Sequence, residues 1–187
     1  MSVRIAIFLA PGFEEIEAVA PLDVFRRANQ DVTLCAVAAN GARTVTGSRG
    51  LRVQCDCTLD ELEAGELQVC CFPGGLPGAT NLAGNAKVLA AAAAVHARGG
   101  FCAAICAAPL VLSAAGLFAA DTEYTCYPGI EKRIANGVCT HRFVQRCGRL
   151  VTACGPGASV DFAFEILRSA GQGAAVKSIA EGMMVRR

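Results

Sequence analysis

Residues 101–112 read FCAAICAAPLVL, and this stretch decides how the chain is interpreted. FCAAIC is a short apolar run that predicts a buried β-strand, while AAPLVLSAAG, which continues to Gly116, predicts a helix. Pro109 falls within the first turn of that helix, where its missing N–H leaves no hydrogen bond unmade. The sequence therefore predicts a strand-to-helix turn with Cys106 at the junction.

Strand-like and helix-like segments alternate along the chain. Apolar runs that predict strands are VRIAIFLA (3–10), DVTLCAVAA (31–39) and LQVCCFPGG (67–75). Segments that predict further helices are EEIEAVAPLDVFRRAN (14–29), NAKVLAAAAAVHARGG (85–100), SVDFAFEILRSAG (159–171) and AAVKSIAEGMM (174–184). TVTGSRGLRVQCD (44–56) predicts a small hairpin, and residues 123–157 hold more strand-like pieces. Continuous apolar strands between helices predict an α/β fold, with a parallel sheet covered on both faces.

The composition bounds the class of protein. The length of 187 residues suits one domain, 1–187. Because 53% of the residues are hydrophobic and only 18% are charged, the chain is expected to be globular. The net charge is +1 and the basic residues are scattered, which argues against nucleic acid as a partner. Residues 101–120 carry no charge, yet their alanine content and Pro109 fit a buried strand and helix better than a membrane span. The first apolar run is too short for a signal peptide, so we expect a cytoplasmic protein without a membrane partner.

Eleven cysteines but only two histidines are spread along the chain. No pair has the C-x-x-C spacing, so we expect no metal site. An odd number of cysteines without a secretory context indicates reduced thiols in a cytosol-like compartment. Most of them are expected to fill the core, because a free cysteine behaves as a small hydrophobic residue.

Cys106 is the cysteine whose surroundings suggest a nucleophile. Ala104 and Ala108 stand two positions before and after it, as in the small-x-nucleophile-x-small turn of α/β hydrolases, where a bulky residue would collide with neighbouring backbone. At a helix N-terminus, aligned N–H dipoles are expected to stabilise the thiolate and lower the pKa of the thiol. The alternative is a core cysteine in an alanine-rich seam.

A glycine pair is expected near Cys106, because the carboxyl ends of parallel strands meet at one edge of the sheet. Gly74 and Gly75 follow a buried strand in the stretch FPGGLPGATNL. The backbone amides there, together with that of Ala107, can donate hydrogen bonds to a developing oxyanion. The alternative is an ordinary tight turn, and the stretch lacks the lysine of a phosphate-binding loop.

Three acidic residues follow the first strand. Glu14 and Glu15 suit solvated partners of the helix dipole. Glu17 lies between two apolar residues and is expected to turn inward, toward the same edge of the sheet.

Four stretches together resemble the ThiJ/PfpI superfamily, and within it the branch that contains the Parkinson-disease protein and bacterial ThiJ-like proteins. The stretches are GFEEIEAVAPLDVFRRA (12–28), FPGG (72–75), AAICAAP (103–109) and GPGASVDFA (155–163). The likeness covers nearly the whole chain in order. It implies a flavodoxin-like (Rossmann-like) fold, similar to class I glutamine amidotransferases, and a homodimer.

The resemblance also implies roles for individual residues. Cys106 matches the reactive, easily oxidised cysteine, and Glu17 matches the acid that hydrogen-bonds its sulfur. Gly75 and Ala107 match the backbone amides beside that sulfur, with Gly74 as a further substrate contact. Arg49 matches an arginine near the site that binds anions, although solvation at the surface is the default for such a residue.

The sequence departs from the family pattern at two positions. Ala107 stands where the protease-like branch has a histidine, so no local Cys-His dyad forms. Tyr127 precedes Pro128 where animal members have a histidine, and a tyrosine there can hydrogen-bond a substrate but is a poor base. We expect His96 to be a helix-dipole partner and His141 a surface residue.

The resemblance implies a glutathione-independent glyoxalase and deglycase with a role in oxidative stress. Its substrates would be 2-oxoaldehydes such as methylglyoxal, or glycated protein and thiol adducts, and it would need no cofactor. The alternative is a redox-sensing chaperone whose Cys106 is oxidised to a sulfinate. A cysteine peptidase is disfavoured by the missing histidine, and the thiazole-biosynthesis label of the family finds no matching phosphate site.

Overall fold

A seven-stranded sheet forms the centre of the fold in the computed structural model, which describes residues 2–185 apart from the side chain of Asn40. Met1, Arg186 and Arg187, at the ends of the predicted domain, lie outside the described residues. The strands are β1 (Arg4–Leu9), β2 (Asp31–Ala36), β3 (Thr44–Thr46), β4 (Arg52–Gln54), β5 (Cys57–Thr58), β6 (Val69–Phe72), β7 (Phe101–Ile105), β8 (Glu123–Tyr124), β9 (Val138–Cys139), β10 (Val144–Cys147) and β11 (Leu150–Ala153).

The central sheet is almost entirely parallel. Its strand order is β10-β11-β7-β6-β1-β2-β5, and only β10 runs antiparallel to its neighbour. Every residue of β6 and β7 is buried, as expected for strands with helices on both faces. The pair β3–β4 forms the predicted hairpin, while β8 and β9 make a small parallel sheet of their own. The predicted flavodoxin-like α/β fold is confirmed.

Within the described part of the chain, six α-helices cover the sheet. They are α1 (Glu15–Arg27), α2 (Gly78–Ala83), α3 (Ala86–Ala97), α4 (Pro109–Ala114), α5 (Ser159–Ser169) and α6 (Gly173–Gly182). The chain crosses from β1 to β2 in one direction and from β6 to β7 in the other, so right-handed crossovers place α1 and α3 on opposite faces. Helix α5 packs on α1 and α6, whereas α2 packs on α3 and α4.

Helix α2 was not expected from the sequence. Its six residues begin with a glycine and carry no charge, so the glycine-rich stretch by itself predicts only a turn. Burial of Ala79 and Leu82 holds this short helix in place. Within residues 2–185, none of the helices combines the length and hydropathy that a bilayer crossing requires.

Phe8 and Phe72 form an aromatic pair at the centre of the sheet. Both are fully buried on the neighbouring strands β1 and β6, and their ring centroids are 5.1 Å apart. Such pairs add to the stability that burial of the rings provides.

Phe8→Ala should lower the free energy of unfolding by about 3–5 kcal/mol, because it removes buried surface and leaves a cavity. The matched control is Phe143→Ala, since Phe143 is 52% exposed. The control should change stability by less than about 0.5 kcal/mol. Urea denaturation of both variants checks the prediction, and equal losses would contradict the assigned core.

Candidate functional site

Cys106 lies in a constrained turn between β7 and α4. Its φ angle is 63°, in the left-handed region that residues other than glycine seldom adopt. Its N–H donates to the carbonyl of Ala153 (2.9 Å), and its own carbonyl accepts from the N–H of Tyr127 (2.8 Å). Two backbone hydrogen bonds therefore hold the strained residue from both sides. The residue is 9% exposed, so the sulfur lies near the surface without projecting from it.

Glu17 enters the site from the first turn of α1 and is fully buried. Glu14 caps this helix, because its carboxylate accepts from the N–H of Glu17 (2.8 Å). In a capping box, the acid at the third helical position reaches back to the N–H of the cap residue. Here the carbonyl of Gly74 accepts that N–H of Glu14 (3.0 Å). The Glu17 carboxyl therefore does not bind the N–H of its own helix cap. Its Oε2 accepts instead from the N–H of Gly74 (2.7 Å).

Gly74 is where Glu17 and Cys106 approach each other. A Cβ atom on Gly74 would lie 2.7 Å from Oε2 of Glu17 and 2.8 Å from Cβ of Cys106. Gly75 has a φ of 82°, and a Cβ there would lie 2.5 Å from the backbone nitrogen of Glu14. A side chain on Gly74 would therefore push the acid and the thiol apart, and one on Gly75 would collide with the backbone just before α1.

The surroundings of the Cys106 sulfur combine donors with one acid. The backbone amides of Gly75 and Ala107 hydrogen-bond the sulfur and favour its charged form, whereas the Glu17 carboxyl disfavours it. The five residues that the sequence groups here are thus brought together by the fold. They are Cys106, Glu17, Gly74, Gly75 and Ala107.

Burial raises the pKa of Glu17 to about 7. Hydrogen bonds from Gly74 and from the Cys106 thiol oppose this shift, and the negative charge of Glu14 adds to it. The thiol contact is looser than an ordinary hydrogen bond, because Oε1 of Glu17 has no partner of good geometry among residues 2–185. A buried carboxylate oxygen without a partner is costly, which favours the protonated acid.

The pKa of Cys106 changes in the direction opposite to the lowering expected from the sequence. Burial, and then the neighbouring Glu17 carboxylate, raise it to about 12, against the opposing amides of Gly75 and Ala107. The helix after the thiol has only six residues, so its dipole is weaker than burial and charge repulsion combined. Near neutral pH the pair loses its first proton from Glu17, and the carboxylate becomes a base beside the thiol.

Tyr127 is joined to Cys106 by its backbone, whereas Arg49 is joined to the start of α1 through Glu15. Tyr127 contacts Cys106 through its backbone, while its side chain is 52% exposed. The side chain of Arg49 is also exposed, and its backbone N–H donates to the Glu15 carboxylate. Glu15 is therefore not merely solvated, because it also accepts from the hydroxyl of Ser48 (3.1 Å) and so ties α1 to the β3–β4 hairpin.

Neither histidine is among the groups that act on the Cys106 thiol. His96 occupies the last turn of α3, where a positive charge suits the helix dipole, and His141 is exposed.

Sequence reasoning missed two contributors to the site. Glu14 caps the helix and places Glu17, and the Glu-x-x-Glu spacing of a capping box was the available signal. The carbonyl of Ala153 holds the Cys106 turn, but a backbone carbonyl leaves no trace in residue identity.

Comparison with known proteins finds similarity over most of the chain. The pattern of the DJ-1/PfpI family matches residues 3–169. The chain is 33% identical to "Protein dj-1beta" of Drosophila melanogaster over 187 residues, which cover 99% of this chain and 98% of that protein. The crystal structure of Drosophila melanogaster DJ-1beta covers 100% of both chains with a TM-score of 0.91.

Two further relatives are named for a disease protein and for an activity. The Parkinson disease protein 7 homolog of Danio rerio is 36% identical over 168 residues, covering 88% of this chain and 87% of that protein. Deglycase PH1704 of Pyrococcus horikoshii is 28% identical over 135 residues, covering 72% of this chain and 78% of that protein.

Compared with the wild type, the Glu17→Gln variant should gain stability as the pH rises from 4 to 8. The wild-type Glu17 carboxyl has a pKa of about 7 in the folded protein but its ordinary pKa of 4.5 in the unfolded chain, so the stability of the wild type falls as pH rises between these values. Glutamine stays neutral throughout. The difference in unfolding free energy between variant and wild type should therefore grow by about 3 kcal/mol from pH 4 to pH 8.

Urea denaturation at both pH values measures this difference. Glu165→Gln on α5 is the control and should show no comparable growth. A difference for Glu17→Gln that does not vary with pH would contradict the buried, proton-binding carboxyl.

Proposed function

Because the chain belongs to the DJ-1/PfpI family, we propose that it is a cysteine-dependent enzyme that converts small 2-oxoaldehydes such as methylglyoxal into hydroxy acids. One observation carries the proposal. The Cys106 sulfur lies at a strained turn between a carboxyl of raised pKa and two backbone amides. This is the combination of nucleophile, base and oxyanion donors that aldehyde addition needs.

The first step is addition of the thiol to the aldehyde carbon. Glu17, ionised above about pH 7, takes the thiol proton as the C–S bond forms. The aldehyde oxygen gains negative charge, and the amides of Gly75 and Ala107 donate to it. Glu17 then passes the thiol proton to that oxygen, so the product of this step is a hemithioacetal on Cys106 and Glu17 is again a carboxylate.

The second step moves a proton between neighbouring carbons. The Glu17 carboxylate removes the proton from the former aldehyde carbon and returns it to the former ketone carbon. The hydroxyl proton of the hemithioacetal passes to the former ketone oxygen, which leaves a 2-hydroxy thioester. Water then cleaves the C–S bond and frees the thiol. Methylglyoxal and water together become lactic acid, so the atoms balance without glutathione, metal or organic cofactor.

Access to the sulfur favours small substrates. Cys106 is only 9% exposed, which admits a three-carbon aldehyde more readily than a folded protein surface. Deglycation then proceeds on the aldehyde in equilibrium with its amine or thiol adducts, or on adducts at flexible chain ends. In this proposal the exposed hydroxyl of Tyr127 would hydrogen-bond a substrate carbonyl, and the Arg49 guanidinium would attract an anionic group.

Oxidation of the same sulfur supports a second function, that of a redox-sensing chaperone. The amides of Gly75 and Ala107, together with protonated Glu17, can bind the oxygens of a Cys106 sulfinate. Suppression of client aggregation only after peroxide treatment, without lactate formation before it, would favour this function. A homodimer and a cytoplasmic location, which the family resemblance implies, are part of the same proposal; Ile16 and Val19, exposed on α1, are candidate interface residues.

Cys106→Ser should lower the rate of lactate formation from methylglyoxal by at least about 10³-fold, because a hydroxyl is a much weaker nucleophile at neutral pH. Cys147→Ser is the control, since Cys147 is a half-buried thiol on β10, and it should keep wild-type turnover. Lactate measured by NMR checks the rate, and circular dichroism checks the fold. Wild-type turnover in a folded Cys106→Ser protein would overturn the proposal.

The pH dependence of kcat/KM should follow the ionisation of Glu17. The rate should fall about tenfold per pH unit below about pH 7, because protonated Glu17 cannot take the thiol proton. The Glu17→Gln variant should no longer show this fall in rate below about pH 7, and its rate should be about 10²–10⁴-fold lower than that of the wild type. Initial rates between pH 5 and pH 9 test both effects, with Glu165→Gln expected to keep the fall in rate. An unchanged fall in Glu17→Gln would assign the base elsewhere.

A further inference from the structure

Two other cysteines come together in the small β8–β9 sheet. Tyr124 and Cys139 are paired in register, and Cys126 follows Tyr124 by two residues. In this register the side chains of Cys126 and Cys139 lie close enough for Cys139 to act directly on the Cys126 thiol. Both cysteines are reduced. Neither is among the groups that act on the Cys106 thiol, although Cys126 directly precedes Tyr127, whose N–H binds the Cys106 carbonyl.

Each of these thiols has a different polar neighbour. The sulfur of Cys139 lies 3.7 Å from Nδ1 of His141. The Cys126 thiol donates to Oε2 of Glu131 at 3.9 Å, and that oxygen also accepts the N–H of Gly129 (2.6 Å). Cys139 therefore has a base beside it, whereas Cys126 has an acid.

The two thiols also differ in their exposure to solvent. Cys126 is 2% exposed, and burial together with the neighbouring Cys139 and Glu131 raises its pKa to about 12. Cys139 is half-buried and His141 is exposed. A small oxidant can therefore reach the thiol of Cys139 but not that of Cys126. This division matches an attacking cysteine and a resolving cysteine.

We propose that Cys139 and Cys126 form a second reactive site, which reduces hydroperoxides and closes into a disulfide without help from Cys106. His141 takes the proton of Cys139, and the thiolate attacks one peroxide oxygen. The O–O bond breaks, Cys139 becomes a sulfenic acid, and the departing alkoxide or hydroxide takes the proton from His141. The Cys126 thiol then attacks the Cys139 sulfur, the S–O bond breaks, and water leaves with the Cys126 proton. One hydroperoxide is reduced to an alcohol or water while two thiols are oxidised.

A second thiol pair in the same chain provides an internal comparison. Cys35 and Cys57 are paired in register across β2 and β5 and also interact, with Cys35 buried and Cys57 half-buried. The charged groups that act on Cys57 are Glu61, Asp56 and Arg43, two acids and a cation that is not a base at neutral pH. Burial alone would make both pairs react alike, whereas a base beside the thiol predicts that only Cys126 and Cys139 react quickly.

Mass spectrometry can identify the disulfide directly. The protein is treated with one equivalent of hydrogen peroxide, blocked with N-ethylmaleimide, and digested with trypsin and a glutamate-specific protease. Cleavage then yields residues 124–131 and 134–142, each with a single cysteine. We expect these fragments to be linked at equal rates in wild type and in Cys106→Ser, and at least fivefold faster than fragments containing Cys35 and Cys57. Absence of the linkage, or its loss in Cys106→Ser, would overturn the proposal.

The role of His141 can be tested with a matched pair of variants, because the second histidine of the chain, His96, serves as the control. The φ angle of His141 is 54°, a conformation that asparagine tolerates, so His141→Asn removes the imidazole and keeps the turn. We expect His141→Asn to slow disulfide formation at least fivefold and His96→Asn to leave its rate unchanged. Equal rates in the two variants would refute the role of the base.

Cys126→Ser provides a measurement that does not depend on disulfide formation. In this variant the Cys139 sulfenic acid has no resolving thiol, so dimedone should label residues 134–142 after peroxide. Labelling at Cys106 alone would refute the second site.

Discussion

The hydrogen bond from the N–H of Gly74 to the Glu17 carboxyl holds the candidate site together. It joins the loop after β6 to the first turn of α1, and it is fully buried. The carbonyl of the same glycine binds the N–H of Glu14, which prevents the usual return contact of a capping box. One glycine therefore both releases the Glu17 carboxyl from its own helix and binds it beside Cys106.

The incomplete satisfaction of that carboxyl determines its chemistry. One oxygen of Glu17 accepts a good hydrogen bond, while the other has only the loose contact with a thiol, so burial keeps a proton on the acid until about pH 7. A carboxyl on the surface would be fully ionised there and a much weaker base. The proton that Cys106 must lose thus has an acceptor of suitable strength next to it, although the thiol itself is hard to ionise.

The cysteines of this chain differ by surroundings and not by type. Seven of the eleven are buried. Cys70 and Cys102, for example, lie paired on β6 and β7 deep in the sheet. Cys106 is distinguished by a strained turn with an acid and two amides, and Cys139 by partial exposure and an imidazole. Reactivity follows from what lies within a few ångströms of each sulfur, together with access from solvent.

Local order along the chain was enough to predict much of this protein. Continuous apolar strands between amphipathic segments determined the α/β fold, and the small residues around Cys106 determined the turn, because both depend on near neighbours in sequence. Helix α2 was not predicted, because no local sequence pattern marks it. Buried contacts made by Ala79 and Leu82 hold it in place. Only the tertiary structure decided the raised pKa values of Glu17 and Cys106, the hydrogen bond from Cys106 to the Ala153 carbonyl, and the proximity of Cys126 and Cys139. Desolvation and charge interaction act through space between residues distant in the chain, so no stretch of sequence contains them.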